Sequence, residues 1–173
     1  MLYLVERKKV VIVGIPGVGK TSLVTRIVEL INAEKHCASV HSYGTVMMGE
    51  AENSEVSDRD NLRHLPVSQQ KDLQKQAATK ISELTDDVVF IDTHAFISTG
   101  EGFYPGLPYH VIQILEPTHL IAISARPEEI YNRRMKDDTR NRDKISIEAI
   151  KKELAVQDAM LASCSVLSGS PLK

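Results

Sequence analysis

One short motif constrains this chain more than any other feature of its sequence. Residues 14–21 read GIPGVGKT and match the spacing GxxxxGK[ST] in full. The motif follows VVIVG at residues 10–14, a mostly β-branched run typical of a strand buried on both faces of a parallel sheet. After it, apolar residues recur at helical spacing on one predicted face: Leu23, Val24, Ile27, Leu30 and Ile31. A strand, a glycine-rich loop and a helix in this order predict a loop that cradles phosphate groups.

The predicted loop supplies the candidate residues for binding the phosphates of a nucleoside triphosphate. Its glycines let the backbone curl so that successive N–H groups point at phosphate oxygens, and the following helix adds its positive N-terminal end. We expect Lys20 to bridge the β- and γ-phosphates as a catalytic residue, and the Thr21 hydroxyl to bind magnesium. The expected ATP-binding residues are Gly14, Ile15, Pro16, Gly17, Val18, Gly19, Lys20, Thr21 and Ser22.

A carboxylate ends the next buried strand. The run VVFID at residues 88–92 ends at Asp92, in the position of a Walker B carboxylate that acts on magnesium directly or through water. The alternative is an aspartate that caps an ordinary turn; given the phosphate loop, we favour the metal role. His94 follows closely, and we interpret it as a structural or orienting residue because transfer to an anionic phosphate needs no general base.

An arginine-rich segment is the candidate lid. Residues 133–143 read RRMKDDTRNRD, and guanidinium groups can neutralise charge on a transferring phosphoryl group. We therefore predict a short lid at about residues 136–143, with Arg133, Arg140 and Arg142 as catalytic residues. The alternative is a solvated, salt-bridged helix end, which is common.

The rest of the sequence predicts strands that alternate with helices. Strands are expected at residues 38–42 and 119–124, with a turn at 43–45, two or three helices within 46–84 and a Gly- and Pro-rich loop at 93–108. Further helices are expected at 109–115, 127–135 and 147–167. This order predicts one α/β domain over residues 1–173, with a mostly parallel sheet covered by helices on both faces.

Composition excludes several classes of protein. The formal net charge of −2 argues against nucleic-acid binding through a large basic surface. Cys37 and Cys164 form no CxxC pair, which predicts reduced cysteines in a cytoplasmic protein. No apolar run approaches the ~18 residues that cross a bilayer, so neither a membrane segment nor a secretion signal is expected.

Several segments occur together in an order that resembles the archaeal-type adenylate kinases. They are GIPGVGKT, YGTVM, SDRDNLR, IDTH, a loop ending in YPGLP, and TRNRD, and they span nearly the whole chain. The resemblance implies a P-loop NTPase-type fold with a helical AMP-binding insert at about 44–84, and a cytoplasmic enzyme that converts ATP and AMP to two ADP with Mg²⁺. It places the AMP side at Tyr43, Gly44, Thr45 and Arg63, and since some members are trimers it admits a homo-oligomer.

The sequence differs from the family pattern in two places, and two other functions remain as alternatives. Ser98 stands where similar members carry Lys or Arg, and Gly100 stands where they carry proline. The family continues with a final strand and helix, which the sequence SGSPLK at the end of this chain does not supply. The alternatives are a kinase for another nucleoside monophosphate or small metabolite, and a P-loop ATPase that acts as an assembly or binding module.

Overall fold

A parallel sheet forms the centre of the computed structural model, which describes residues 7–51, 65–99, 102–136 and 146–173. Within those ranges, four strands pair in the order β2-β3-β1-β6, and every neighbouring pair is parallel. They are β1 (Lys8–Val13), β2 (Ala38–Ser42), β3 (Val88–Thr93) and β6 (His119–Ala122). A separate antiparallel hairpin joins β4 (Phe96–Thr99) to β5 (Gly102–Pro105).

Helices connect the parallel strands. They are α1 (Lys20–Ala33), α2 (Tyr43–Glu50), α3 (Val67–Ser82), α4 (Tyr109–Leu115), α5 (Pro127–Met135) and α6 (Ile147–Ser168). Proline at the first position of α5 suits a helix start, because the missing N–H would have no partner there. Acidic Glu128 and Glu129 in its first turn and basic Arg133 and Arg134 in its last turn complement the helix dipole.

Apolar side chains cover the sheet on both faces. Under α1, Val24 packs with Val10, Ile12 and Phe90 in one buried cluster. A larger cluster fills the other face, where buried residues of α3, α4 and α6 meet β1 and β3. The predicted α/β class, with helices on both faces of a mostly parallel sheet, is confirmed.

Three local predictions were wrong. Leu23 and Leu30 lie 43% and 53% exposed rather than on the buried face of α1, because the helix turns Val24 toward the sheet. The predicted loop at 93–108 contains the β4–β5 hairpin, where Phe96 and Phe103 meet edge to face with ring centroids 4.7 Å apart. Residues 43–45 form the first turn of α2 instead of a connecting turn.

The last residues of the chain lie alongside β6. The N–H of Leu120 donates to the carbonyl of Pro171 (3.0 Å), and the N–H of Lys173 donates back to the carbonyl of Leu120 (2.9 Å). Leu120 and Leu172 form an isolated parallel bridge. The segment therefore extends the hydrogen bonding of the sheet beyond β6.

None of the helices in the described ranges is both long enough and apolar enough to cross a membrane.

Candidate active site

The glycine-rich loop adopts a shape that its glycines make possible. Gly17 and Gly19 have φ values of 91° and 93°, a region that other L-residues rarely enter. A Cβ on Gly14 would lie 2.8 Å from Cγ2 of Val18 and 3.3 Å from the carbonyl oxygen of Ile123. The loop is therefore closely packed at its start, and α1 begins directly after Gly19.

Lys20 and Asp92 meet beside this loop. In the pairing of β1 with β3, Ile12 stands opposite Asp92, so the carboxylate lies where β1 runs into the loop. The Lys20 ammonium forms an ion pair with Oδ1 of Asp92, and the two side chains are only 8% and 13% exposed. The structure thus brings together two residues that the sequence assigned separately to phosphate and metal binding.

Two consecutive arginines of α5 reach the outside of the loop. Nη1 of Arg133 donates to the carbonyls of Val18 (2.9 Å) and Gly17 (3.3 Å). Nε of Arg134 donates to the carbonyl of Pro16 (2.7 Å). Arg133 therefore lies against the phosphate loop itself, at the end of the helix that leads into the predicted lid.

Arg134 was not among the site residues predicted from the sequence. It belongs to the same RRMKDDTRNRD run, but nothing in that run distinguishes it from its neighbours. In the structure its side chain is 10% exposed, and Nη2 pairs with Oε2 of Glu153 on α6 at 2.8 Å. The pairing with Glu153 distinguishes Arg134 from the neighbouring arginines. That pairing exists only because α5 packs on α6, so no pattern in the sequence indicated it.

His94 also holds the loop. Its Nδ1 lies 2.9 Å from the carbonyl oxygen of Gly14, and since that oxygen can only accept, Nδ1 carries the proton and donates. The contact ties the segment after β3 to the first residue of the loop. The predicted structural role of His94 fits this geometry.

The predicted AMP side begins at the same edge of the sheet. Ser42 stands opposite Asp92 in the pairing of β2 with β3, and α2 starts at the next residue. Thr45 is exposed, whereas Tyr43 is buried and donates its hydroxyl to the carbonyl of Gln74 (2.5 Å). Burial raises the pKa of Tyr43 above its usual value. Tyr43 therefore anchors α2 to α3 through its hydroxyl, and its contact with AMP stays a prediction.

Other predicted residues lie outside the described ranges. These are Arg63 of the AMP side and the lid arginines Arg140 and Arg142, together with nearly all of the predicted lid. Gly100 falls outside them as well.

Two oxygen-bearing side chains of the site, those of Thr21 and Asp92, would suit magnesium. Within the ranges given, no group of three or more His, Cys, Asp or Glu side chains could hold a metal ion. Magnesium in nucleotide sites is commonly held by one or two protein oxygens, with phosphates and water completing its shell. The exposed Thr21 and the Asp92 carboxylate are a donor set of that kind.

The fold and the loop define this protein as a P-loop kinase-type domain. A family profile described as an AAA domain matches residues 13–151. The structure is similar to shikimate kinase from Acinetobacter baumannii in complex with shikimate, with a TM-score of 0.58 at 10% identity over 96% of this chain and 83% of that chain. Shikimate kinase from Bacteroides thetaiotaomicron gives a TM-score of 0.59 at 11% identity, covering 95% and 84%. These likenesses show the fold.

Sequence comparison gives the particular family. The chain is 38% identical over 170 residues to the adenylate kinase of Methanocaldococcus jannaschii, covering 97% of this chain and 88% of that protein. It is 39% identical over 164 residues to the adenylate kinase of Thermoplasma acidophilum, covering 94% and 86%, and 38% identical to that of Sulfurisphaera tokodaii, covering 94% and 87%. The chain belongs to the archaeal-type adenylate kinases, which confirms the resemblance seen in the sequence.

Proposed function

We propose that this chain transfers the γ-phosphoryl group of ATP to AMP, giving two ADP, with Mg²⁺ as cofactor. One observation carries the assignment of the site. Asp92 stands opposite Ile12 of β1 and opposite Ser42 of β2, so β3 places it between the phosphate loop and the start of α2. The side that binds ATP, the phosphoryl donor, and the side that binds AMP, the phosphoryl acceptor, then meet at one edge of the sheet, with the Lys20 ammonium between them.

The donor side is the loop at residues 14–22. Its backbone N–H groups bind the ATP phosphates, and Lys20 exchanges its contact with Asp92 for the phosphate oxygens when ATP is bound. Lys20 is already largely removed from water before ATP binds, so its charge acts on the phosphates in a site that holds little water. The His94 contact with Gly14 fixes the start of the loop during this exchange.

Thr21 and Asp92 are the residues that would hold magnesium. When bound, the ion neutralises charge on the phosphate oxygens. Release of Lys20 toward ATP frees the Asp92 carboxylate for this role.

The acceptor side begins at the first turn of α2. We assign the AMP phosphate to the backbone of Gly44, the exposed hydroxyl of Thr45 and the guanidinium of Arg63, with Tyr43 holding α2 in place through Gln74. Arg133, which lies on the loop through Val18, and the lid residues Arg140 and Arg142 stabilise the charge on the transferring group.

The decisive experiment measures ADP formation from ATP and Mg²⁺ with AMP, CMP, UMP or no acceptor. We expect ADP only with AMP, at two ADP per AMP consumed. A Lys20→Met variant, assayed at a temperature where it remains folded, should lose about 10²–10³-fold in turnover, as expected for removal of a preoriented charge. Equal activity with all three monophosphates would contradict the assignment of AMP, and ATP hydrolysis that ignores every acceptor would contradict the transferase activity itself.

A further inference from the structure

Two arginines of α5 donate hydrogen bonds to carbonyls of the phosphate loop, and the side chain of one of them is largely removed from water. Arg134 is 10% exposed, whereas Arg133 is 50% exposed and its second nitrogen lies 3.6 Å from Glu129, an ordinary surface pair. Arg134 instead joins three separate parts of the fold. It belongs to α5, donates to Pro16 in the loop and pairs with Glu153 on α6.

We propose that Arg134, held by Glu153, is a positioning residue that keeps the loop in its phosphate-binding shape. A loop that directs its N–H groups toward phosphates turns carbonyl groups to its outer side. Pro16 is exposed, so water could solvate its carbonyl, but only a donor fixed to α5 holds that carbonyl in one orientation. Arg134 supplies that donor at 2.7 Å, immediately before the residue where the loop enters positive φ.

The packing around Gly17 strengthens this assignment. A Cβ on Gly17 would lie 3.1 Å from Cγ of Arg134 and 3.3 Å from Cγ2 of Ile130. The α5 helix therefore lies directly against the loop, and the Arg134 side chain passes over Gly17 to reach Pro16. Movement of this side chain is limited on both sides, by the loop and by Glu153.

Glu153 gives the arginine its fixed orientation. The Nη2 to Oε2 distance is 2.8 Å, and Glu153 is 17% exposed. The fixed geometry of the guanidinium lets Nε face the loop while Nη2 faces the carboxylate. A lysine could make one of these contacts but not both, since its charge sits on a single nitrogen.

The positioning role of Arg134 predicts weaker binding of ATP alone. Arg134 contacts the loop to which ATP is assigned, and Glu153 contacts Arg134. Within the described residues, no hydrogen bond or ion pair links either side chain to α2, where the AMP side begins. The inference rests on the proposed function only in assigning ATP to this loop. Loss of the pair should therefore weaken ATP binding and leave AMP binding unchanged.

The test compares Arg134→Ala, Arg134→Lys and Glu153→Gln with a control, Arg26→Ala. The control removes the exposed Arg26–Glu29 pair of α1, which lies outside the site. Calorimetry would measure the Kd of a non-hydrolysable ATP analogue with Mg²⁺, and separately the Kd of AMP, at a temperature where denaturant titration shows each variant folded.

We expect Arg134→Ala to raise the Kd of the ATP analogue about tenfold, the loss expected for a charge-assisted hydrogen bond. Arg134→Lys and Glu153→Gln should give smaller increases, and all three variants should keep the AMP Kd within about twofold of the wild type. If Arg134→Ala does not fold, Arg134→Lys and Glu153→Gln decide the question by the same comparison.

An unchanged Kd for the ATP analogue in the folded variants, or an equal loss for both nucleotides, would overturn the positioning role. A wild-type chain that binds ATP yet forms no ADP with AMP would count against the proposed function alone. The comparison of ATP affinities would still test Arg134 in that case.

Discussion

Lys20 and Asp92 form an ion pair in which both side chains are largely removed from water. Lys20 stands at the start of α1 and Asp92 near the end of β3, and the pairing of β3 with β1 brings them together. Each charge depends on the other because the desolvation of a lone buried charge costs several kcal/mol. The same ion pair therefore contributes to the geometry of the site and to the free energy of unfolding.

The first prediction concerns this dependence. Lys20→Met should lower the free energy of unfolding by about 3–5 kcal/mol, since it leaves the Asp92 carboxylate uncompensated. Lys20→Met combined with Asp92→Asn should recover much of that loss, because no buried charge remains. Denaturant titration of the single and double variants checks both statements. A double variant no more stable than Lys20→Met would show that the charge of Asp92 is not the cause.

The second prediction concerns Gly106, which lies against the backbone after β3. A Cβ at this position would lie 2.1 Å from the carbonyl oxygen of His94, and backbone atoms can avoid such a clash only by moving. Gly106→Ala should therefore destabilise the protein by about 1–3 kcal/mol. It should also weaken ATP binding, since His94 contacts Gly14.

Gly49→Ala is the matched control for this substitution. Gly49 lies within α2, and a Cβ there meets no atom within 4 Å. We expect the control to stabilise the protein by about 0.5–1 kcal/mol through helix propensity. Equal effects of the two substitutions on thermal unfolding would contradict the packing argument.

The third prediction concerns pH. Burial, with smaller contributions from Lys75 and Lys71, lowers the pKa of His110 below its ordinary value of 6.5. The unfolded chain then binds more protons near that pH than the folded chain, so stability rises as the pH rises through the interval between the two pKa values.

Replacement of His110 by Gln tests this dependence. The free energy of unfolding of the wild type, minus that of His110→Gln, should fall as the pH drops below about 6.5. Titrations at several pH values between 5 and 8 measure the difference. Parallel curves for the two proteins would show that protonation of His110 is not linked to unfolding.

The fourth prediction concerns Cys37. This exposed thiol donates to Oδ1 of Asp86 at 3.2 Å, and that hydrogen bond raises its pKa, with further contributions from the negative charges of Asp86 and Asp87. The thiolate is the reactive form, so alkylation of Cys37 at pH 8 should be slower than that of a free cysteine peptide. Asp86→Asn should accelerate it.

Cys164 provides the internal comparison. It is buried, and burial raises its pKa, so it should not react while the protein is folded. Mass spectrometry of the alkylated chain distinguishes the two thiols. An Asp86→Asn variant that reacts at the wild-type rate would show that the carboxylate does not control Cys37.

Local patterns in the sequence were enough to predict the strand, loop and helix that carry the site residues. The glycine-rich loop, the helix after it and the strand ending near Asp92 each have a signature within a few residues, because backbone conformation there depends on glycine and on the spacing of apolar side chains. Helices α4 and α5 matched the predicted boundaries for the same reason. The order of the six motif segments also indicated the family, which the relatives confirm.

The packing of distant segments decided the rest. The sequence determined a phosphate loop, a carboxylate near it and an α/β fold, since each follows from neighbouring residues. Only the tertiary structure paired Lys20 with Asp92, buried the Tyr43 hydroxyl against Gln74 and separated Arg134 from the other arginines. These contacts join residues far apart in the chain, and their free energy depends on burial and on the orientation of partner groups, which no local pattern records.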